Sequence, residues 1–493
     1  MNKKIRLVLV FLLIILCIAY TIKTFDSNND MFYLIKLGKD IVNNGIDFRD
    51  HYSWVAEFSY SYPHWLFSVY IYLVYYLFGF LGIYISNIIS FILLILCVYF
   101  VNLKVSKNEF MSFFISLLSI VALAPFVVAR GQVFSTILLL LEVYYINKLI
   151  ETGSKKYIVY LAIISLLIAN IHATIWLMVF ILFLPFVGED LVYKIMYKKR
   201  HKDSLIIGSK VAVEKVKNSK LVFIAILICL LMGLLSPSRI CYTYVFKTMF
   251  GDSQTYIVEH QNLVPISYPL FLLTMFLLYF VNTKIKLREL FMIFGIVVLS
   301  LISMRHLIFF YTVGFLYVSL VFIRQLNDNG DHTLDILGKM FFNNKYILSL
   351  MVILSLGLCV YKINSNLKKD YISNKDYPIS AVKYIKNNLD YKNIKLYNNY
   401  NIGSYLLFND IGVFIDSRCD LYFKEFNNIG LDLFDEVIDI NKNYEKVFSK
   451  YGVNYVLLSK NDILYYIIRK DNNYEEIYQD KYFIIYKGVN DAI

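Results

Sequence analysis

Long apolar runs separated by short polar connections fill the chain from residue 5 to residue 361. A helix of roughly 17 to 25 apolar residues crosses a bilayer core, and eleven runs come close to that length. In chain order they are 5–22, 83–101, 110–128, 133–150, 157–169, 174–187, 221–235, 268–281, 290–303, 307–323 and 346–361. The pattern predicts a polytopic α-helical membrane protein with about 11 transmembrane helices.

One further apolar run, from Trp65 to Phe78, is read either as an interfacial helix or as a twelfth span. With eleven spans and a cytoplasmic amino terminus, the inner connections hold 23 basic and 10 acidic residues, and the outer ones hold 9 and 8. This distribution obeys the positive-inside rule, whereas a twelfth span would invert every later loop. The run is therefore predicted to lie in the outer interface.

The periodicity changes after Tyr361. Amphipathic helical stretches alternate with strand-like runs at 394–397, 413–415 and 453–458, and 475–486 has the pattern of a hairpin. We predict a transmembrane domain, 1–363, with an outer loop 23–82 and a cytoplasmic basic loop 188–220. A small extracytoplasmic α/β domain, 364–493, is predicted to follow on the outer side.

Composition sharpens this picture. The chain is 58% hydrophobic and only 17% charged, against about 25% charged residues in soluble proteins, so a water-soluble globule is excluded. Of the net charge of +12, residues 1–363 carry +13 and the remainder carries −1. Because the surplus falls in the predicted cytoplasmic loops, it marks topology and predicts no nucleic-acid partner.

Ionisable residues on the predicted outer side are the candidates for chemistry, because such residues at the rim of a membrane domain are costly to keep. Asp30 follows the first span; it is a candidate general base, or an N-cap of the next helix. Arg130 and Arg305 stand between spans on the side that the positive-inside rule disfavours. A guanidinium group there can bind phosphate or extend to the interface.

Other polar residues share this side. His172 lies in a turn between two spans and either contacts substrate or satisfies the turn. Spacing in the outer loop matches no metal motif, so no cofactor is expected. In the last domain a strand runs into Asp416, Arg418 and Asp420, which form either an acceptor-side loop or an internal salt bridge. The remaining rim candidates are His64, Gln132, Glu259 and His306.

Several short motifs resemble those of the GT-C glycosyltransferases, membrane enzymes such as the protein O-mannosyltransferases and the aminoarabinose transferases of the bacterial family 39 type. They are Asp30 with Pro63-His64-Trp65-Leu66, Arg130-Gly131-Gln132, Asn170-Ile171-His172, Ser236-Pro237-Ser238 with Glu259, Ser303-Met304-Arg305-His306, Tyr400 to Leu406 and Phe414 to Arg418. The chain departs from the family where Met31 replaces a second acidic residue and where Gly131 replaces proline.

The resemblance implies an inverting hexosyltransferase of the bacterial plasma membrane and cell envelope. Its donor would be a polyprenyl-phosphate-linked sugar, and its acceptor an extracytoplasmic glycan, lipid or protein. Asp30 would be the catalytic base, and the arginines would bind the departing phosphate. Two alternatives stay open: a lipid-linked glycan polymerase or ligase, and a transporter or flippase, which would bind substrate at the midplane between repeated halves.

Overall fold

The computed structural model of the chain describes residues 3–21, 29–200, 204–207, 210–243, 247, 258–328, 330, 332–366 and 370–489. The start of the predicted outer loop, 23–28, lies outside these residues, as do parts of the predicted loop 188–220 and of the connection between the apolar runs 221–235 and 268–281. The chain forms two compact units, the first made of Met1–Thr24 and Ile85–Lys368, and the second made of Phe25–Tyr84 and Lys369–Ile493. The outer loop thus groups with the C-terminal residues.

Helices occupy every one of the eleven predicted spans. Within the described residues, seven helices are long and apolar enough to cross a membrane. They are Lys3–Thr21, Trp65–Ser106, Glu109–Phe126, Gln132–Thr152, Ala173–Met196, Met304–Asp328 and Lys345–Asn366. Shorter apolar helices are Lys156–Ile171, Ser219–Leu235 and Pro269–Tyr279, and Leu287–Ile302 fills the ninth predicted span. These helices make the chain a multi-pass membrane protein.

Several serine and threonine hydroxyls inside the helices of the first unit bond to their own helix backbone. Ser116, Thr136 and Ser300 each donate to the carbonyl four residues earlier at 2.8 Å. Such bonds satisfy a hydroxyl where no water is available. Large apolar side chains such as Leu227 and Phe276 remain exposed on the helices, as expected for surfaces that face lipid.

The described residues of the predicted cytoplasmic basic loop 188–220 include a helix and two strands. The helix Leu177–Arg200 continues through its first part, and strands β1 (Ser204–Ile207) and β2 (Val211–Glu214) pair antiparallel. A two-residue strand, β3 (Ile285–Lys286), pairs parallel with β2. Arg288, which follows β3, donates to Glu214 of β2 at 2.9 Å. This ion pair links the two connections within the first unit.

The helix Trp65–Ser106 is interrupted at Gly79, whose φ of 61° and ψ of −156° are not helical. A side chain other than hydrogen is disfavoured in this region. The break separates the run from Trp65 to Phe78 from the predicted second span, and the two parts are distinct helical segments.

The second unit contains a four-stranded sheet of β4 (Leu396–Asn398), β5 (Tyr455–Ser459), β6 (Tyr474–Gln479) and β7 (Phe483–Gly488). The strand order is β4-β5-β7-β6, with β4 and β5 parallel and the other pairs antiparallel. The predicted hairpin corresponds to β6 and β7. The predicted strand 413–415 was wrong: Val413 makes one isolated bridge, with Ser53, because this stretch pairs with the outer loop and not with the sheet.

The helix Asn29–Asn44 packs against the helix Tyr400–Phe408 within the second unit. Its Phe32 ring is fully buried and lies 4.8 Å from the Tyr377 ring and 5.0 Å from the Tyr405 ring. Edge-to-face aromatic contacts of this kind add about 0.5 to 1.5 kcal/mol beyond area burial. The outer loop is therefore part of the core of this unit. The C-terminal part of the second unit also contains the helices Ile379–Asn388, Leu433–Ile438, Ile440–Tyr451 and Ile463–Ile468.

Gly403 is expected to be essential for this packing. A Cβ atom there would lie 2.0 Å from the Ile415 carbonyl oxygen and 2.7 Å from Asp416 Cα, both rigid backbone atoms. We expect Gly403→Ala to lower the free energy of unfolding by about 1 to 3 kcal/mol, the usual cost of overpacking. Thermal unfolding of the purified protein in detergent measures this. Gly357→Ala, where a Cβ meets nothing within 4 Å, is the control, and equal melting temperatures for both variants would contradict the expectation.

Candidate functional site

Two turns of the first unit bring several rim residues together. Met304 N donates to the Gln261 carbonyl at 3.1 Å, and Ser303 Oγ donates to the Glu259 carbonyl at 3.1 Å. These bonds hold the turn that ends at His260 beside the turn that follows Ser303. Residues 45 positions apart in the sequence thus share one small region.

Arg305 uses its guanidinium fork to contact two histidines. Its Nη1 lies 3.0 Å from His260 Nε2, and its Nη2 lies 3.1 Å from His172 Nε2. Arginine can only donate, so both imidazole Nε2 atoms accept and both rings are neutral, with the proton on Nδ1. The geometry fixes the tautomer of each histidine.

The chain of hydrogen bonds continues from His172 into the next helix. His172 Nδ1 donates to Ser135 Oγ at 3.1 Å, and Ser135 Oγ donates to the Gly131 carbonyl at 2.7 Å. His172 and Ser135 are both buried. A directed polar chain therefore joins Arg305 to the start of the helix Gln132–Thr152, next to Arg130. Ser135 was not a sequence candidate, because a serine within an apolar span gives no signal of its own.

Arg130 pairs with Glu259, with Nη1 at 2.7 Å from Oε1 and 2.9 Å from Oε2. Burial opposes ionisation of Glu259, but the charge of Arg130 outweighs it and lowers the pKa of that carboxyl. Burial, and then the charge of Arg305, lower the pKa of His260 to about 4. Among these side chains two guanidinium charges stand against one carboxylate, so the group, which we name the arginine-histidine cluster (Arg130, His172, Glu259, His260 and Arg305), carries a net positive charge.

Two other rim candidates of the first unit take different roles. Gln132 begins its helix and is buried, and its carbonyl accepts the Thr136 hydroxyl. His306 Nδ1 donates to the Leu299 carbonyl at 3.0 Å. Both contacts fix local backbone beside the cluster.

Asp30 belongs to the second unit and lies within the first turn of the helix Asn29–Asn44. The N-cap interpretation is therefore wrong: the helix already begins at Asn29, whose amide donates to the Tyr400 carbonyl at 2.9 Å. A carboxylate in the first turn is favoured by the positive end of the helix dipole. The Asp30 side chain is half-buried, so this position keeps a carboxylate at the edge of the unit.

Asp420 lies close enough to Asp30 for their charges to interact. It belongs to the short 3-10 helix Cys419–Tyr422. Burial and, second, the charge of Asp30 raise the pKa of Asp420 to about 7. A carboxyl group with a pKa near 7 is protonated in a substantial fraction of the molecules at neutral pH. The sequence predicted each aspartate separately but not that they interact.

Arg418 and Asp416 form the internal salt bridge that the sequence left as an alternative. Arg418 Nη2 lies 2.6 Å from Asp416 Oδ2, and both side chains are fully buried. Asp50, from the outer loop, is a second buried partner of Arg418. The Tyr422 hydroxyl donates to Asp416 at 2.6 Å. These groups fix the loop that carries Asp420 and have no surface left to contact an acceptor.

His64 precedes the helix that begins at Trp65. Its carbonyl accepts both the backbone N–H of Ser68, at 2.8 Å, and the Ser68 hydroxyl, at 3.1 Å.

Across the described part of the chain, no three histidine, cysteine, aspartate or glutamate side chains are grouped so that they could hold a metal ion.

Asp420 makes stability depend on pH in a predictable direction. Because its pKa is raised above the ordinary value of 3.8 to about 7, the folded state holds the proton more tightly than the unfolded state. Stability from this group is complete below about pH 4 and is lost as pH rises through 7. We expect melting temperature to fall with pH over this range less steeply in Asp420→Asn than in the wild type.

Melting curves at pH 4.5 to 8 measure the difference. Asp439→Asn, at a side chain that is 64% exposed, should keep the wild-type slope. Identical slopes for Asp420→Asn and the wild type would show that the carboxyl group of Asp420 is ionised throughout.

No family model matches the sequence, and no curated protein matches it. Solved structures do match, and three of them are of the same protein. The crystal structure of the Archaeoglobus fulgidus oligosaccharyltransferase tethered with an acceptor peptide gives a TM-score of 0.57 at 10% identity, covering 93% of this chain and 69% of that one. Its apo form gives 0.56 at 10% identity, covering 93% and 70%. Its complex with Zn and sulfate gives 0.51 at 11% identity, covering 91% and 67%.

At this level of identity the likeness establishes the fold alone. It extends over 93% of this chain, and it does not single out the bacterial family 39 type. The chain therefore has the fold of this oligosaccharyltransferase.

Proposed function

We propose that this protein is an inverting membrane glycosyltransferase that moves a sugar from a polyprenyl-phosphate donor to an extracytoplasmic acceptor. The observation that carries the proposal is the likeness of fold, over 93% of the chain, to an oligosaccharyltransferase. A GT-C fold by itself does not choose a donor or an acceptor. The roles below come from the chemistry of the side chains in each unit.

The arginine-histidine cluster suits a phosphate group. Two guanidinium charges against one carboxylate leave a net positive charge, and guanidinium forks match phosphate oxygens. Arg305 is held on one side by two neutral imidazoles (3.0 and 3.1 Å), which orient it without cancelling its charge. Preorganised charge of this kind stabilises a leaving group as negative charge develops on it. Gln132 and His306 would support this cluster by fixing the backbone beside it.

Asp30 is proposed as the general base. The acceptor hydroxyl oxygen attacks the anomeric carbon, and the bond from that carbon to the phosphate oxygen breaks as the new glycosidic bond forms. The hydroxyl proton passes to the Asp30 carboxylate, and the electron pair of the broken bond leaves on the phosphate. A single displacement inverts the anomeric configuration. A positioned base contributes about 10²- to 10⁴-fold to such a step.

Asp420 extends this role, because a second carboxyl group that interacts with Asp30 can share the proton that the base receives. His64 is proposed as a further substrate- or phosphate-binding residue. We further propose a topology with eleven spans, a cytoplasmic amino terminus and the second unit outside the bacterial plasma membrane. The excess of basic residues in the predicted inner connections supports this orientation. The donor then would be a polyprenyl-phosphate-linked sugar of the cell envelope, as in enzymes of the family 39 type.

The role of Asp30 has a direct test in a strain that lacks this protein. The strain should accumulate a polyprenyl-phosphate-linked sugar, and the wild-type gene should remove the accumulation. We expect Asp30→Asn, produced in equal amount as folded protein, to restore transfer at least about 100-fold less well. Mass spectrometry of lipid-linked sugars gives the readout.

Asp439→Asn is the matched control, because Asp439 belongs to the same unit as Asp30, lies outside any proposed site and has a side chain that is 64% exposed. It should restore transfer like the wild type. Full restoration by Asp30→Asn would remove the general base from the proposal, and a strain with no change in lipid-linked sugars would remove the proposed donor.

A further inference from the structure

A cleft of about 510 Å³ lies entirely within the second unit. Its volume falls in the range of about 300 to 1,000 Å³ that is usual for small-molecule sites. Carboxylates, an ammonium group, an imidazole, an amide and phenols line it together. The lining residues are Lys36, Asp40, Asn44, Gly45, Asp47, His51, Tyr52, Tyr62, Leu407, Asp410, Ile411 and Gly412.

The cleft is separate from the Asp30 carboxylate. Asp30 is in the first turn of the helix Asn29–Asn44, whereas Asp40 and Asn44 are near its end. Ten residues of helix correspond to about 15 Å along the axis. The cleft therefore cannot share the reacting atoms that Asp30 would contact, and any ligand in it is bound some distance from the chemistry.

Lys36 organises the centre of the cleft. Its Nζ lies 2.8 Å from Asp410 Oδ1 and 3.4 Å from Asp40 Oδ2. Burial opposes its charge, but hydrogen bonds and charges from these aspartates raise the pKa of Lys36. The Tyr52 hydroxyl also donates to Asp40. The Asp40 carboxylate is therefore fixed in place, with Asp410 opposite it at the surface.

Asp47 and His51 form the rim. Asp47 accepts Arg49 Nη2 at 2.8 Å and lies 2.9 Å from His51 Nε2. Hydrogen bonds from Arg49 and then from His51 lower the pKa of Asp47, so it is ionised. Three carboxylates, Asp40, Asp47 and Asp410, thus meet the cations Lys36 and Arg49, and the surroundings of the cleft are close to neutral.

Two residues that line the cleft hold an unfavourable backbone. Tyr62 has a φ of 51° and Asp410 a φ of 62°. A bulky residue such as tyrosine rarely adopts positive φ, and such conformations cost about 1 to 3 kcal/mol and cluster at ligand sites. The surrounding packing keeps this strained lining in one shape.

We propose that this cleft binds a neutral carbohydrate, the glycan part of an acceptor. Each carboxylate has about four lone-pair sites, and Lys36, Arg49 and Tyr52 use only some of them, so the cleft is rich in acceptors. A ligand with many closely spaced O–H donors fits such a surface, and sugar hydroxyls supply them. The inference rests on the proposed function, whose acceptor class it names.

Two other ligand classes fit less well. Phosphate and other anions would face three carboxylates that outnumber the two cations. A basic peptide would bring positive charge to carboxylates that already have Lys36 and Arg49 as partners, and its backbone offers one N–H donor per residue. The balance of acceptors and charge therefore favours a polyhydroxylated, uncharged ligand.

The test uses the full chain in detergent or nanodiscs and a panel of neutral hexose and N-acetylhexosamine oligosaccharides. Saturation-transfer NMR or calorimetry measures binding of each. We expect at least one of them to bind, and Asp410→Asn and His51→Ala to weaken that binding at least tenfold. Both side chains are more than half exposed, at 57% and 55%, so both variants should fold. Asp439→Asn, exposed and outside the cleft, should bind like the wild type.

The outcomes separate the cleft from the proposed reaction. Hydrolysis of the donor, in which water releases polyprenyl phosphate, does not use a glycan acceptor. The cleft variants should therefore retain donor hydrolysis but lose transfer of the sugar to a glycan. Absence of binding by every neutral oligosaccharide would overturn the proposal, as would binding that the cleft variants leave unchanged. Binding of a basic peptide or of inorganic phosphate alone would also overturn it. If the wild-type protein neither hydrolyses the donor nor transfers its sugar, that result would instead contradict the proposed function.

Discussion

The second unit depends on one buried charge. The Arg418 guanidinium is fully buried, and it is balanced by Asp416 from its own loop and by Asp50 from a segment 368 residues earlier. Its Cζ also lies 5.1 Å from the ring centre of Tyr52 and 5.3 Å from that of Tyr60. Removing one partner of such a buried pair costs about 3 to 5 kcal/mol, because the remaining charge is left without compensation. The outer loop and the C-terminal residues therefore fold as one unit.

In the first unit, Arg305 lies at the centre of a second hydrogen-bond network. Arg305 donates to His260 and to His172, His172 donates to Ser135, and Ser135 donates to the Gly131 carbonyl. Both imidazoles are neutral, so these two hydrogen bonds fix the position of the guanidinium group without adding a counter-charge. The buried guanidinium of Arg418, paired with two carboxylates, stabilises the fold, whereas the phosphate-binding role proposed for Arg305 uses a guanidinium group that imidazoles orient. This contrast underlies the different roles given to Arg418 and Arg305.

The sequence predicted what local periodicity controls and missed what distant pairing controls. All eleven apolar runs are helices. The run from Trp65 to Phe78, which loop charge separated from the second span, is divided from it in the structure by the non-helical Gly79. The strand predicted at 413–415 failed because Val413 pairs with Ser53 and not with the sheet. Arg130 and Arg305 became site candidates because the positive-inside rule disfavours basic residues on the predicted outer side. The Asp50 partner of Arg418 and the Ser135 link could not be predicted, since no spacing rule connects residues so far apart or distinguishes one serine in an apolar helix.

The central claim is that the arginine-histidine cluster binds the phosphate of a lipid-linked donor. Phosphorus NMR of polyprenyl monophosphate in nanodiscs, with and without the protein, tests it most directly. The account predicts a shifted or broadened resonance with the wild type. Arg305→Gln, which removes the charge but keeps a side chain that can donate, should lose that effect at least tenfold in affinity. Lys442→Gln, at a side chain that is 81% exposed, should keep it. A resonance that the wild type leaves unchanged, or that Arg305→Gln perturbs equally, would contradict the account.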